Sequence, residues 1–154
     1  FRADRMDAST RDRIEWIADF YSDDYAHLAA DAIVCRHTLE HISPVGEFME
    51  MLRRSIGDRR TTVLFELPDV ACVLEDVRFW DVYYEHCSYF TDLSLRPAFR
   101  AAQFPVEEVA RVFGGQYLWA RASGGAAPEP SCIRLICISS CWFRYCNCSM
   151  VPVS

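Results

Sequence analysis

The stretch at residues 30–42 reads Ala-Asp-Ala-Ile-Val-Cys-Arg-His-Thr-Leu-Glu-His-Ile, an apolar run followed at once by a polar string. The apolar run, residues 30–35, has the length of a strand, and its continuous apolar character is typical of a sheet that is buried on both faces. The polar string, residues 36–41, follows where such a strand ends. Because ligands of open α/β sheets bind beyond the carboxyl ends of the strands, we expect this string to face a ligand.

Strand and helix patterns alternate on both sides of this stretch. Residues 43–57 are predicted to form a helix that begins at Ser43-Pro44 and ends at Gly57, and residues 61–67 form the clearest strand, closed by Pro68. The other predicted elements are a short strand within residues 11–18, a turn or short helix at 23–28, a helical turn at 70–75, a helix after the cap at 91–94 and a hairpin of residues 104–112 and 116–121. This order predicts an α/β fold whose sheet is mostly parallel and ends in an antiparallel hairpin. The strand ends at residues 19–21, 36–41 and 66–69 are then expected to face one crevice.

The composition bounds the class of protein. The chain has 154 residues, of which 51% are apolar, and this suits one globular domain. Its formal charge of −6 argues against a nucleic-acid partner, and the absence of a long uncharged apolar run argues against a membrane span. The first residues show no apolar signal region, so we expect a cytoplasmic protein with reduced thiols. The sequence leaves the oligomeric state open.

The composition changes after Ala122. Residues 123–130 resemble a linker, and residues 131–154 are rich in Cys, Ser and Ile. We expect residues 1–122 to form the domain and residues 123–154 to be a disordered or non-native tail. A zinc module is the alternative, because five cysteines crowd the tail: Cys132, Cys137, Cys141, Cys146 and Cys148. Their spacing lacks the usual Cys-x2-Cys pair, so the tail is the preferred interpretation.

The string from His37 to His41 matches the inverted metallopeptidase pattern His-x-x-Glu-His. That chemistry requires both histidines on one face of a helix, whereas this string directly follows a predicted strand. We therefore predict no metal site and keep a zinc peptidase as the last alternative.

Aromatic residues surround a Glu-His pair at residues 79–91, the aromatic segment, which reads Phe-Trp-Asp-Val-Tyr-Tyr-Glu-His-Cys-Ser-Tyr-Phe-Thr. An acid and a base held among apolar rings can have shifted pKa values, as proton-transfer chemistry requires. The alternative is a buried aromatic corner in which His86 is a satisfied core residue. The segment alone leaves both interpretations open.

Taken together, these strings resemble class I S-adenosylmethionine-dependent methyltransferases. The resemblance covers roughly residues 13–121 and rests on the strings at residues 19–21, 30–42 and 63–69. The string Tyr83-Tyr84-Glu85-His86, followed by Tyr89-Phe90-Thr91, is more specific and is similar to the Tyr-x-Glu-His motif of the sugar C-methyltransferase branch. Those enzymes methylate a carbon next to a ketone in a nucleotide-linked deoxysugar.

The resemblance implies S-adenosylmethionine as the cofactor and a small molecule, such as a nucleotide sugar, as the substrate. Asp19 and Phe20 would lie near the adenine of the cofactor. Arg36, His37 and Glu40 would line the crevice beside the methionine end and the substrate.

The same resemblance implies three catalytic residues. His86 would take the proton from the activated carbon, Glu85 would orient or tune His86, and Tyr83 would donate a hydrogen bond to the enolate oxygen. The aromatic neighbours would exclude water. The alternatives are an O- or N-methyltransferase of the same superfamily and a non-catalytic α/β remnant that serves as a binding or structural module.

Two parts of the family pattern are missing from the sequence. The glycine-rich loop after the first strand is absent, and so is the acidic residue at the end of the second strand. We therefore interpret the chain as a fragment, the C-terminal part of a methyltransferase domain, which alone binds the cofactor poorly or not at all. In the family sheet the two missing strands lie between the strand near Ile14 and the strand near Ile33, so an exposed sheet edge is expected there.

Overall fold

The computed structural model describes residues 14–125, 134–139 and 149–152. These residues form one sheet of seven strands with helices packed against it. The strands are β1 (Glu15–Trp16), β2 (Ala32–Arg36), β3 (Thr61–Pro68), β4 (Val106–Val112), β5 (Tyr117–Gly124), β6 (Arg134–Ser139) and β7 (Ser149–Pro152). The α-helices are α1 (Val45–Ile56), α2 (Val70–Asp76) and α3 (Asp92–Ala101), and short 3-10 helices lie at Asp23–Leu28, Leu39–His41 and Phe79–Asp81. Across these ranges no helix combines the length and the apolar character that a membrane span requires.

The strand order of the sheet is β1-β7-β6-β2-β3-β5-β4. Its centre is parallel, because β2 pairs in parallel with both β3 and β6. Its flanks are antiparallel: β5 pairs with β3 and β4, and β7 pairs with β6 and β1. The predicted α/β class and the hairpin β4–β5 are confirmed. Antiparallel pairings nevertheless outnumber parallel ones among the described strands, because β7 adds a second antiparallel flank that the sequence did not predict.

Local signals place the helices where the sequence predicts them. Helix α1 follows Pro44 and ends at Gly57, whose φ of +60° lies in the left-handed region that glycine adopts without strain. Helix α3 begins with a capping box, in which Thr91 and Ser94 exchange side-chain and backbone hydrogen bonds. Pro68 differs from its prediction: it is the last residue of β3 and pairs with Tyr117 instead of closing the strand from outside.

The core lies on one side of the central strands. Residues of β3 alternate between buried and half-buried, and the buried set joins the buried side chains of α1 and α3 in one cluster. Phe65 of β3 and Phe99 of α3 meet edge to face, with 5.0 Å between ring centroids. The prediction of a sheet buried on both faces is therefore wrong for β2 and β3, because their alternate residues are covered only in part.

Part of the predicted tail belongs to the sheet. Strand β5 continues to Gly124, past the expected boundary at Ala122, and β6 pairs with β2 along its whole length. The alternating buried residues Ile136 and Ile138, each 1% exposed, explain this placement, because they extend the same core as Ile33. The structure thus has a strand at residues 134–139, where the sequence predicts a disordered or non-native tail. That residues 123–154 are non-native stays a prediction, and residues 126–133 and 140–148 lie outside the described ranges.

The predicted open edge next to β2 is also occupied. Strands β6 and β7 lie between β1 and β2, the place at which the resemblance locates the two missing strands. The described ranges contain four cysteines, namely Cys35, Cys72, Cys87 and Cys137. Of the five cysteines behind the zinc-module alternative, only Cys137 falls within the described ranges, and it lies half-buried in β6.

Candidate active site

A crevice of about 280 Å³ opens at the carboxyl ends of the parallel strands β2 and β3. Four parts of the chain line it: the polar string after β2, the end of β3, the aromatic segment and the start of β5. Its lining residues are His37, Glu40, His41, Pro68, Asp81, Tyr83, His86, Gln116 and Tyr117. The crevice therefore lies where ligands of open α/β sheets bind.

Arg36 and His37 both turn toward Glu66 of β3. The guanidinium of Arg36 donates through Nε and Nη2 to Oε1 of Glu66, at 3.1 and 2.8 Å. Nε2 of His37 lies 3.1 Å from the same oxygen. The backbone of His37 is left-handed, with a φ of 47°, and its N–H donates to the carbonyl oxygen of Glu66 at 2.8 Å. The turn after β2 is thus tied to the neighbouring strand, and Arg36 is not among the residues that line the crevice.

Glu40 is a buried carboxylate at the inner end of the crevice. It belongs to the 3-10 helix Leu39–His41 and is 2% exposed. Its Oε1 lies 3.7 Å from Nδ1 of His37 and 4.0 Å from Nε2 of His41. Among the described residues its Oε2 has no hydrogen-bond partner. The backbone N–H groups of Cys87 and Ser88 donate to the carbonyl oxygen of Glu40, at 2.7 and 3.1 Å, and so fix the aromatic segment against this turn.

His86 lies among three rings. The centroid of its imidazole is 4.8 Å from that of His41, 5.1 Å from that of Tyr83 and 5.8 Å from that of Tyr89. The hydroxyl of Tyr89 donates to the backbone carbonyl of Tyr83 at 3.1 Å, which closes the segment on itself. Nδ1 of His86 is buried and has no hydrogen-bond partner in the described ranges.

Most rings of the aromatic segment face solvent. Phe79 is 74% exposed, Trp80 58% and Tyr84 96%. The buried aromatic corner is therefore wrong, since the segment is a surface loop and His86 is only half-buried within it. Of the aromatic rings of this segment only that of Tyr83 is among the crevice lining, and the exclusion of water by the aromatic neighbours stays a prediction.

Burial and the neighbouring carboxylates shift the pKa values of His37 and His86 in opposite directions. The carboxylate of Glu40 raises the pKa of His37 by hydrogen bonding, against the opposing effect of burial. Burial lowers the pKa of His86, and the nearby Glu40 offsets this only in part. Burial also raises the pKa of Tyr117, which holds its hydroxyl in the protonated form. Burial therefore favours the neutral form of His86, whereas the Glu40 carboxylate favours the protonated form of His37.

Four of the predicted site residues converge on this crevice: His37, Glu40, Tyr83 and His86. Glu85 is adjacent, and its charge raises the pKa of His86, a smaller effect than that of burial. Its backbone carbonyl accepts a hydrogen bond from Nδ1 of His41 at 3.2 Å, and its carboxylate raises the pKa of Tyr84 by hydrogen bonding. The Glu85 carboxylate does not bond Nδ1 of His86, so the structure does not show the predicted orientation of His86 by Glu85.

Asp19 and Phe20 do not line the crevice. Both are exposed, and Phe20 is 63% exposed. Oδ2 of Asp19 accepts a hydrogen bond from the hydroxyl of Tyr25 at 2.7 Å, and this bond lowers the pKa of Asp19. Of the three strand ends expected at one crevice, two meet there and the one at Asp19 does not. The role of Asp19 and Phe20 beside an adenine stays a prediction.

The sequence did not single out Asp81, Gln116 or Tyr117 as site residues, and it gave His41 only as a member of the string at residues 36–41. Nε2 of Gln116 donates to Oδ1 of Asp81 at 3.5 Å, and Tyr117 meets the ring of His37 edge to face at 4.9 Å. Gln116 and Tyr117 reach the crevice through the antiparallel register of β5 on β3, which sets Tyr117 opposite Pro68 at the end of β3.

The metallopeptidase pattern is not formed by its own residues. His37 has a left-handed backbone and Glu40 and His41 lie in a 3-10 helix, so no α-helix presents the two histidines on one face. His41 instead approaches His86, and Glu40, His41 and His86 form a group of possible metal ligands.

Comparison with known proteins gives two matches of different kinds. A family model described as "Methyltransferase domain" matches residues 3–109. Among solved structures, the crystal structure of magnesium protoporphyrin IX methyltransferase from Synechocystis PCC 6803 with bound SAH is similar at 15% sequence identity and a TM-score of 0.45, covering 66% of this chain and 49% of that chain. The chain spans about half the length of that protein. No curated protein matches the sequence significantly.

Proposed function

Because the chain belongs to the methyltransferase domain family, we propose that it is the C-terminal part of a domain that methylates a carbon next to a ketone in a small molecule. S-adenosylmethionine is the methyl donor, and a nucleotide-linked sugar is the proposed substrate class. The observation that carries this proposal is the convergence of His37, Glu40, Tyr83 and His86 in one crevice at the ends of β2 and β3.

The crevice fits the reacting end of the cofactor and not the whole of it. A sulfonium is a cation, and the carboxylates of Glu40 and Asp81 together with the rings of Tyr83 and Tyr117 line the crevice with groups that favour a cation. Its volume of about 280 Å³ falls below the range of about 300–1,000 Å³ typical of small-molecule sites. The adenosine and the carboxylate of the cofactor therefore require residues beyond this crevice, which agrees with a partial domain.

His86 is the proposed general base. A carbon next to a ketone becomes a nucleophile when it loses a proton, and the pair of electrons left on carbon and oxygen forms an enolate. Burial lowers the pKa of His86, so its imidazole is neutral and able to accept that proton at neutral pH. The resulting imidazolium is stabilised by the nearby carboxylate of Glu40 and returns its proton to solvent after the reaction.

Tyr83 is the proposed partner of the enolate oxygen. Its ring lies 5.1 Å from that of His86, so both side chains can reach adjacent atoms of one substrate. A hydroxyl that donates to the developing oxyanion stabilises the charge that forms in the transition state. The cofactor supplies the electrophilic methyl group, which the substrate carbon accepts from the sulfonium. Glu85 contributes through its backbone carbonyl, which holds His41 beside His86.

Calorimetric titration tests the proposal first. S-adenosylmethionine and S-adenosylhomocysteine are titrated into this chain and into a version extended upstream by the strands that carry the glycine-rich loop. A second extended version ends at residue 125, because β6 and β7 occupy the place those strands need. Binding to an extended version and not to this chain supports the proposal, whereas binding to none of them overturns it.

A methyl-transfer assay on the version that binds then separates the candidate acceptors. A C-methylated product with a ketone substrate supports the sugar C-methyltransferase assignment. Transfer to a hydroxyl or an amine, with the same dependence on His86, identifies an O- or N-methyltransferase instead.

A further inference from the structure

Two imidazoles and one carboxylate meet at the inner end of the crevice. One ligand atom from each of Glu40, His41 and His86 lies within 4.8 Å of the other two. We propose that these three side chains form a binding site for a divalent transition-metal ion of the zinc class. This site goes beyond the proposed methyl transfer, and neither the sequence motifs nor the family match assigns it.

The donor set selects the class of ion. Two imidazole nitrogens and one carboxylate oxygen are the ligands of catalytic zinc sites, which leave one coordination position open. Magnesium and calcium prefer sites made of oxygen atoms, so a site with two imidazoles disfavours them. The open position would face the crevice, because all three residues belong to its lining.

The buried carboxylate is the second observation that points to a ligand. The Glu40 side chain is 3% exposed, and its Oε2 has no hydrogen-bond partner among the described residues. A buried carboxylate oxygen without a partner is costly, because the low dielectric of its surroundings disfavours an uncompensated charge. Nδ1 of His86 is a second buried atom in the same condition. A cation between them would satisfy both atoms at once.

His41 is already set up as a ligand. Its Nδ1 lies 3.2 Å from the carbonyl oxygen of Glu85, and a carbonyl can only accept, so Nδ1 carries the proton. The lone pair is then on Nε2, which lies 4.0 Å from Oε1 of Glu40. A histidine that donates its other N–H to a carbonyl is the usual arrangement around bound metal ions. His37, 3.7 Å from Oε1 of Glu40, supports the carboxylate from the opposite side.

Binding requires a small contraction of the group. Zinc bonds of about 2.0–2.1 Å place tetrahedral ligand atoms about 3.3 Å apart, and the present atoms lie within 4.8 Å. The backbone of Glu40 is fixed by the N–H groups of Cys87 and Ser88, so the two segments that carry the ligands are already held together.

A bound ion and proton abstraction are mutually exclusive at His86, and this step rests on the proposed function. A neutral imidazole has one basic nitrogen, which binds either the metal or the substrate proton. Metal binding would therefore switch off the proposed proton transfer.

The number of zinc ions bound per chain, measured without any upstream extension, tests the site. Equilibrium dialysis against zinc, followed by metal analysis, is compared for the wild type, Glu40→Gln, His41→Ala, His86→Ala and His27→Ala. His27 is exposed and lies outside the group, so its substitution is the matched control. Because thiolates also bind zinc, the readout is the difference between variants. We expect each of the first three substitutions to remove one zinc equivalent and His27→Ala to remove none.

Cobalt identifies the ligands of the equivalent that is lost. The wild-type minus His86→Ala difference spectrum should show d–d absorption without a thiolate charge-transfer band. Equal zinc stoichiometry in the wild type and all three variants overturns the site, and so does a thiolate band in that difference spectrum. If a substitution unfolds the chain, zinc is added to the wild type and the imidazole nitrogen resonances of His41 and His86 are followed; unchanged resonances overturn the site.

Cofactor binding separates the two proposals. S-adenosylhomocysteine titrated into the extended protein reports the proposed function without reference to zinc. If zinc binds and S-adenosylhomocysteine does not, the metal site is supported and the proposed methyl transfer is not.

Discussion

The rings of His41 and His86 meet edge to face, with 4.8 Å between their centroids and an angle of 75° between their planes. His41 lies in the turn after β2 and His86 in the aromatic segment, so the contact joins two distant parts of the chain. The hydrogen bond from Nδ1 of His41 to the carbonyl of Glu85 fixes the same junction through the backbone. His86 is therefore held in place although the segment around it faces solvent.

Replacing the proposed base should abolish activity and spare cofactor binding. In the extended protein we expect His86→Ala to lower kcat by about 10²–10⁴-fold, the usual contribution of a general base. S-adenosylhomocysteine affinity should stay within about twofold, because a neutral imidazole contributes little to ground-state binding of the product cofactor. Steady-state kinetics and calorimetry on the same preparation measure the two effects, with His27→Ala as the control. A variant that keeps wild-type kcat would remove His86 from the mechanism.

Removing one hydroxyl tests the role of Tyr83. We expect Tyr83→Phe to lower kcat by about 10²-fold and to leave KM nearly unchanged, because a donor to the enolate oxygen acts only as charge develops. Tyr84→Phe is the matched control, since Tyr84 is 96% exposed. Equal effects of the two substitutions, or a rise in KM alone, would contradict this role.

The ion pair between Arg111 and Asp69, the residue that follows β3, should carry measurable stability. Nε of Arg111 lies 2.8 Å from Oδ2 of Asp69, whose side chain is fully buried and caps α2 through the N–H of Ala71 at 3.0 Å. Arg111→Gln leaves this buried carboxylate without its cation, so we expect the free energy of unfolding to fall by about 1–3 kcal/mol. Urea denaturation checks the value, with the exposed Arg60→Gln as the control.

A double substitution distinguishes pairing from a general loss of charge. If the pair matters, Asp69→Asn combined with Arg111→Gln should destabilise by less than the sum of the two single changes. Strict additivity would show that Arg111 and Asp69 act independently.

Local patterns were sufficient for most of the fold. The apolar run at residues 30–35, the cap at Thr91 and the glycine at position 57 each determine structure within a few residues, and the strands and helices follow them. The site followed in part for the same reason: strand ends of a parallel pair meet at one edge, so the string after β2 and the end of β3 had to be neighbours.

The remaining features depend on contacts that no local pattern encodes. The approach of His41 to His86 depends on how the aromatic segment folds back, through hydrogen bonds from Cys87 and Ser88 to the carbonyl of Glu40. The position of β6 depends on the edge of β2, whose backbone N–H and C=O groups can pair with any apolar strand that reaches them. The composition of residues 131–154 differs from that of the rest of the chain. A segment can nevertheless pair with a sheet when its alternate residues become buried, whatever its composition.

A substitution in β6 can decide whether this segment belongs to the folded sheet or to a disordered tail. Ile136 is 1% exposed, so Ile136→Ala should lower the free energy of unfolding by about 2–5 kcal/mol, the usual cost of truncating a buried aliphatic side chain. A disordered tail predicts no change. Leu74→Ala is the control, because Leu74 is 74% exposed on α2 and its truncation should cost less than about 0.5 kcal/mol. If the two substitutions have the same small effect in urea denaturation, β6 is not part of the folded sheet and β2 has the open edge that the missing strands would fill.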